Sequence, residues 1–352
     1  MFSHLLNKTL TRGATLLAFL TLFYACLRSA PALASPEMTA HGYNSCNSCH
    51  MSPTGGGALT AYGKGVAAEI VSTWGDEQEA ETFYGLFNLK PFALHGDFRY
   101  LYHRYEDENI ILTQKFMMQR ELGISFEPSK NVKFFFSGGY YGYEPEYIEY
   151  RKYFLSVGWG GLNLRAGRFR PAFGVEIPDH SKATRQFLGQ GSETSNVELS
   201  FTSRYAEVFL TRTFGRKAVL TSSDDPKVNV KDDEGYTAKL NLFILPGIQL
   251  GGSYAYIEDE AEIEEVYAAN FMLGNKKIFL TGEQQFFTES EPYYLAAGYW
   301  PFKGFLVRVE VDGKPELEPE IFYGVQWNPR PHWEFSGSVS KQNIIATTHY
   351  YL

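Results

Sequence analysis

Cys46-Asn47-Ser48-Cys49-His50 is where the sequence concentrates its chemistry. Two thiols two residues apart, with an imidazole directly after the second, are what covalent c-type haem attachment requires. Each thiolate forms a thioether with a haem vinyl group, and the adjacent histidine swings under the ring to bind iron. His50 is the expected proximal ligand. On the distal face, Met51 follows His50 too directly to reach across the ring, whereas His41 and Met38 lie just upstream and could fold over it. His41 is the first distal candidate; His95, His103 and an open or water-bound position are the alternatives. A disulfide or dithiol redox pair is the competing chemistry for Cys46 and Cys49. It leaves His50 unexplained, and no thioredoxin-like βαβ pattern surrounds the motif.

The residues ahead of the motif read as an export signal over 1–34. Lys8 and Arg12 give a basic start, Ala14 to Leu27 an apolar stretch, and Ala32-Leu33-Ala34 a cleavage site before Ser35. Cys26 leaves with that signal, so Cys46 and Cys49 are the cysteines expected in the mature chain. The alternative, a lipoprotein acylated on Cys26, fits Tyr24 poorly. Export and haem attachment agree, because c-type haem is attached outside the cytoplasmic membrane.

The formal net charge is −8, and loss of Lys8, Arg12 and Arg28 makes the mature chain more acidic still, so nucleic acid is not an expected partner. No apolar run after the signal is long enough for a membrane helix. Aromatic residues at 16%, 33 glycines and a mean hydropathy of −0.26 instead suit an outer-membrane β-barrel, in which lipid-facing apolar residues alternate with a polar lumen.

From Phe92 to Leu352 the chain divides into short period-two segments separated by turn residues. In Gly304 to Val311, Phe305, Val307, Val309 and Val311 share one face, and Arg308 and Glu310 the other. Tyr236 to Ile244 and Trp333 to Val339 repeat the pattern. About sixteen such segments are expected, ahead of fourteen or eighteen. The connections alternate between tight ones, such as Gly160-Gly161, Pro246-Gly247 and Asn328 to Pro331, and long polar ones, such as Pro171 to Glu193, Gly215 to Glu234 and Asp312 to Pro319. Short periplasmic turns and longer outer loops would produce this alternation, with both termini in the periplasm. His349-Tyr350-Tyr351-Leu352 ends the sequence inside a strand, as barrel-assembly signals do. The fold class is therefore all-β: a transmembrane antiparallel barrel over 92–352, preceded by a haem c segment over 35–91. In that segment a glycine-rich loop, Met51 to Gly57, is followed by Leu59, Tyr62, Val66, Ile70 and Trp74 at helical spacing, a short amphipathic helix.

Lumen-facing charge is expected at Asp97, Arg99, Lys115, Glu121, Arg308 and Glu310, mostly as ordinary solvated residues. Arg165, Arg168 and Arg170, beside the long loop after Pro171, are the candidates for anion contact. His332 and His349 read as unremarked surface or lumen positions.

With CxxCH ahead of a porin-like barrel, the chain resembles the outer-membrane monohaem cytochrome–porin fusions, whose best-known members oxidise Fe(II). Ser52-Pro53-Thr54-Gly55-Gly56-Gly57 is similar to a motif of other haem-bearing outer-membrane proteins, and Ala166 to Gly174 looks like phosphate-selective-type porins. The resemblance implies one covalent haem c in a Gram-negative outer membrane, electron transfer at or across that membrane, and a periplasmic electron carrier or multihaem cytochrome as partner. Outer-membrane lipid would surround the barrel. The alternatives are a solute or anion porin with a structural or sensing haem, and an extracellular Fe(II) oxidiser.

Overall fold

The computed structural model describes residues 38, 41, 43, 46–55, 57–81, 89–107, 110–142, 148–177, 182–186, 193–215, 234–258, 263–288, 290–314 and 317–352. The expected signal over 1–34, with its cleavage site and Cys26, lies outside them, as does most of the connection from Gly215 to Glu234.

Sixteen antiparallel strands close into one barrel. They are β1 (Phe92–Asp107), β2 (Ile110–Ser129), β3 (Val132–Tyr141), β4 (Glu149–Trp159), β5 (Leu162–Phe169), β6 (Thr194–Thr202), β7 (Ala206–Phe214) and β8 (Glu234–Leu245). The circuit continues with β9 (Ile248–Glu258), β10 (Ile263–Asn275), β11 (Ile278–Phe286), β12 (Tyr293–Phe302), β13 (Phe305–Gly313), β14 (Glu320–Trp327), β15 (Trp333–Val339) and β16 (Asn343–Tyr351). β1 pairs with β16, from Asp97 opposite Tyr351 to Tyr105 opposite Asn343, so no strand edge is left open. The expected strand count agrees with this architecture. The connections expected to be tight fall at one end and those expected to be long at the other, although that second end also has short ones, between β1 and β2 and between β15 and β16.

Period two sorts the side chains by face. In β13, Val307 and Val309 point outward and are exposed, while Leu306, Glu310 and Asp312 are buried toward the lumen. Aliphatic side chains such as Leu122, Leu164, Leu210 and Leu240 form an apolar outer belt. Aromatics flank it in two bands, with Phe92, Trp159, Tyr205 and Phe302 at the tight-turn end, and Tyr140, Tyr236, Tyr267 and Tyr323 toward the loops. Among the described residues no helix is long and apolar enough to cross a membrane.

One expected lumen charge lies on the other face. Arg99 stands opposite Gln119 but Tyr100 opposite Met117, so Met118 is an extra residue in β2. A bulge of this kind reverses the alternation beyond it. Lys115 therefore shares the outward face with Tyr102, over whose ring its ammonium sits at 5.4 Å.

The connection between β5 and β6 turns into the lumen. Gly174 N donates to Ser253 Oγ at 3.0 Å, Val175 N to Glu283 Oε2 at 2.5 Å, Ala183 N to Asp312 Oδ1 at 2.8 Å, and Gln285 Nε2 to Thr184 O at 2.7 Å. Buried Lys182 adds an ion pair to Glu310 at 3.3 Å, and its ammonium sits 3.4 Å from the Phe322 ring centre. Gly174 has φ +54, and a Cβ there would overlap the Glu283 carboxylate. Gly174→Val should cost about 1–3 kcal/mol through left-handed backbone strain and displace the loop from Glu283. A lower midpoint for heat unfolding on a gel that separates folded from unfolded barrel would check it.

Candidate functional site

The N-terminal segment lies within the barrel, and its local structure is built around the two cysteines. Cys46–Ser48 forms a 3-10 turn, with His50 N donating to Cys46 O at 2.9 Å and Cys49 N to the same oxygen at 3.2 Å. His50 and Leu59 form an antiparallel bridge, which folds the glycine-rich loop into a hairpin-like return. Gly55, at φ +90, closes that return on Cys46; a Cβ there would lie 2.9 Å from the Cys46 Sγ. The helix Ala61–Val66 then starts at Thr60, whose Oγ1 accepts from Gly63 N at 3.1 Å and donates to Ser48 O at 2.5 Å.

The helix exists where its spacing indicates, but its buried face matches the expected stripe only in part, at Val66. Tyr62 and Trp74 are among the most exposed aromatics, 52% and 57%, while Gly63, Val66, Ala67 and Ala68 face inward. The reason is close approach: Gly63 lies so near the Cys49 carbonyl that any side chain would collide with it. Small residues, not the large stripe, bring this helix onto the CxxCH turn. It continues as a π-turn over Ala67–Val71, and Trp74 lies beyond its end.

Opposite walls hold the segment. Met51 is buried with Phe135, Phe154 and Phe169 of β3–β5, so it packs against the wall. Arg165, fully buried, donates from Nη1 to Ser52 Oγ at 2.8 Å and from Nη2 to Glu198 Oε1 at 2.8 Å, and its guanidinium stacks 3.6 Å from the Phe169 ring centre. Across the lumen, His41 meets Trp300 of β12 edge-on at 5.0 Å. At the tight-turn end, Thr73 N donates to Asn328 O, Trp74 N to Pro329 O, and Trp327 Nε1 to Thr73 Oγ1 at 3.1 Å. The segment thus crosses the lumen between β3–β5 and β12, below the inward loop.

The other candidates divide. Met38 accepts backbone bonds from His41 and Tyr43, in one turn with His41. His95 is hydrogen-bonded through Nε2 to Ser125 Oγ at 2.9 Å, and His103 through Nε2 to Asn343 Oδ1 at 2.8 Å, near the loop end of β1. Of the three arginines expected to contact anions, Arg165 is paired with Glu198 and Arg170 with Glu176 at 2.6 Å, while Arg168 sits at an outward position of β5 beside Tyr153. The reason is alternation: Arg165 and Arg168 are three apart and cannot share a face. His349 pairs with Asp97 at 3.0 Å in the lumen. His332 is no surface residue; it is buried, with Nδ1 2.6 Å from Tyr351 O and Nε2 2.6 Å from Glu79 O, joining the segment to the last strand.

Burial raises both thiols: Cys46 strongly, with Glu207 and Glu176 adding to the effect, and Cys49 to about 11. The His41 imidazolium is disfavoured by burial and by the nearby Lys276 charge. Cys46 and Cys49 are both free thiols. Two unbridged cysteines in one turn, with His50 directly after and a small-residue helix face against Cys49, match the donor set that haem c attachment needs.

Set beside known proteins, the barrel defines a class. No protein-family model matches the chain, and no curated protein does. Solved porins match its fold. An engineered variant of the Rhodopseudomonas blastica porin aligns with TM-score 0.57 and 13% identity, over 74% of this chain and all of that one. A triple mutant of the same porin gives 0.55 and 15%, again over 74% and 100%. Salmonella typhi OmpF, in complex with daunomycin, gives 0.57 and 8%, over 74% of this chain and 97% of its own. The fold is a porin-like sixteen-strand barrel. The matched share is close to the fraction of the chain that the barrel occupies.

Proposed function

We propose that this chain is an outer-membrane porin-like barrel carrying one covalent haem c on Cys46 and Cys49, with His50 as proximal ligand, for electron transfer at or across the outer membrane. The observation that carries the reading is the placement of the CxxCH turn inside the lumen, clamped between β3–β5 and β12. A segment hanging below an open channel would favour transport; one that fills the channel favours redox work. When bound, the haem supplies a one-electron centre. This chain's residues do the rest. Thr60 and Gly63 fix the backbone of Cys49, the phenylalanines around Met51 exclude water from one side, and Arg165 anchors the residue two beyond His50. His41, half-buried across the lumen beside Trp300, is the distal candidate this reading retains.

A single centre cannot by itself bridge a hydrocarbon slab about 30 Å thick, so a periplasmic electron carrier or multihaem cytochrome is the implied partner. The exposed acidic and aromatic tight-turn side of the segment, with Tyr62, Glu69, Trp74 and Glu81, is where such a partner would meet it. An iron-oxidising role requires a route from outside past the inward loop, and the pinning of Gly174 to Thr184 works against that alternative.

Denatured mature protein should retain a haem absorbance that organic solvent cannot extract, and Cys46→Ala with Cys49→Ala should remove it. Redox-titrated absorption spectra would report attachment, axial ligation and potential together. Absence of covalent haem from protein matured in a host with haem c assembly would overturn the reading.

A further inference from the structure

Cations on the barrel wall are distributed unevenly. Strands β9–β16 contain one lysine or arginine, Arg308, and it faces the lumen. The outward faces of β1–β8 carry Arg104, Lys115, Arg120, Arg168 and Arg212. Arg104 is neutralised by Glu106 at 2.7 Å, and Arg212 by Glu234. Arg120 and Arg168 have no carboxylate partner among the described residues, and the Nε of each lacks a hydrogen bond. Guanidinium groups facing hydrocarbon without a counter-charge are destabilising, and more so with depth.

The two stand three strands apart on one side of the barrel, Arg168 being level with Ile124 of β2 through Tyr153 and Phe136. Arg120 of β2 stacks over Tyr140 of β3, 5.2 Å from the ring centre, and Arg168 of β5 stands in register with Tyr153 of β4. Directly toward the tight-turn end, the same strands form an apolar groove of about 360 Å³ lined by Ile124, Phe134, Leu155 and Ala166. Small Ala166 leaves the groove open between the larger outward side chains of the neighbouring strands. Arg168 lies six residues from Leu162, and Arg120 nine from Ser129, the tight-turn ends of their strands. At about 3.3 Å per residue and ~40° tilt, they stand about 15 and 23 Å up the barrel wall. That is the half of the belt toward the long loops.

We propose that the outward face of β2–β5 binds a phosphorylated lipid of the outer leaflet, its phosphates on Arg120 and Arg168 and an acyl chain in the groove below. Arginine suits this role because its planar donors grip phosphate oxygens in pairs. The height of both arginines selects the outer leaflet over the inner one. A second copy of the chain fits less well, since a self-complementary contact would bring like charges together. The inference rests on placement of the barrel in an outer membrane and is independent of the haem.

The test is native mass spectrometry of the full chain in uncharged detergent, offered diphosphoryl lipid A, phosphatidylglycerol or an uncharged glycolipid. Wild type should retain diphosphoryl lipid A selectively. Arg120→Gln with Arg168→Gln should lower its retention about tenfold, and Lys115→Gln should leave it unchanged. Equal retention by the double variant, equal binding of phosphatidylglycerol, or an adduct that proves to be a second copy would each overturn the proposal. Insertion into vesicles, followed by protease resistance, separates the two readings: a chain that fails to insert removes the outer-membrane placement, whereas one that inserts without lipid selectivity removes only this site.

Discussion

Excision of residues 35–74 is expected to raise the ion conductance of the reconstituted barrel about tenfold or more, because a sixteen-strand barrel leaves a water channel unless something fills it. Two elements fill this one. The inward connection between β5 and β6 is pinned by Glu283, Asp312, Ser253 and Gln285 and stays after the excision. The N-terminal segment reaches from the Phe135, Phe154 and Phe169 wall to Trp300, and it goes. The deleted protein should therefore conduct like a constricted porin, and wild type far less. Planar-bilayer recordings measure both. Vesicles containing an electron acceptor, with a reductant outside, supply the complementary reading: transfer should fall to the background of the Cys46→Ala, Cys49→Ala protein. Equal conductance in the two proteins would mean that the segment does not occlude the lumen, and large wild-type conductance without electron passage would favour solute transport.

The barrel was legible because its signal is repeated sixteen times and each repeat is local. Alternation in Gly304 to Val311 or Tyr236 to Ile244 needs no distant partner to be read, and the tight connections at Gly160-Gly161 and Pro246-Gly247 are turn chemistry. Where a single residue breaks the period, local reading fails: the extra Met118 turned Lys115 outward, and nothing in its composition marks the bulge. The helix after the motif was legible as a helix but only in part in its orientation, since Val66 is buried and Tyr62 is not. Its buried face was decided by how closely Gly63 could approach Cys49, a contact made through the fold. The signal that could have found it was the Gly63, Ala67 spacing of small residues. His332 and the Arg165–Ser52 bond were invisible for another reason. They join positions 253 and 113 residues apart, and no local pattern records such partners.

The buried Arg165–Glu198 pair gives the second large effect. Arg165 and Glu198 are both fully buried and paired at 2.8 Å, and Thr211 Oγ1 also donates to Glu198 at 3.0 Å. Arg165→Met keeps much of the stacking volume against Phe169 but leaves the Glu198 carboxylate without its counter-charge. Breaking one partner of a buried pair costs about 3–5 kcal/mol, whereas replacing both by uncharged groups is often close to neutral. Arg165→Met should therefore lower the urea midpoint of the folded barrel markedly, and adding Glu198→Gln should restore most of it. Ser52→Ala removes only the bond from wall to segment and should cost about 1 kcal/mol. That small loss separates anchoring from wall stability. With the pair intact in Ser52→Ala, the hairpin return between His50 and Leu59 should become more open to protease, while barrel unfolding scarcely moves. If Ser52→Ala leaves cleavage of that return unchanged, Arg165 serves the wall alone and the segment is held by the Met51 cluster. If Arg165→Met with Glu198→Gln remains as unstable as Arg165→Met, the lost stacking on Phe169 and Phe154 outweighs the charge pair.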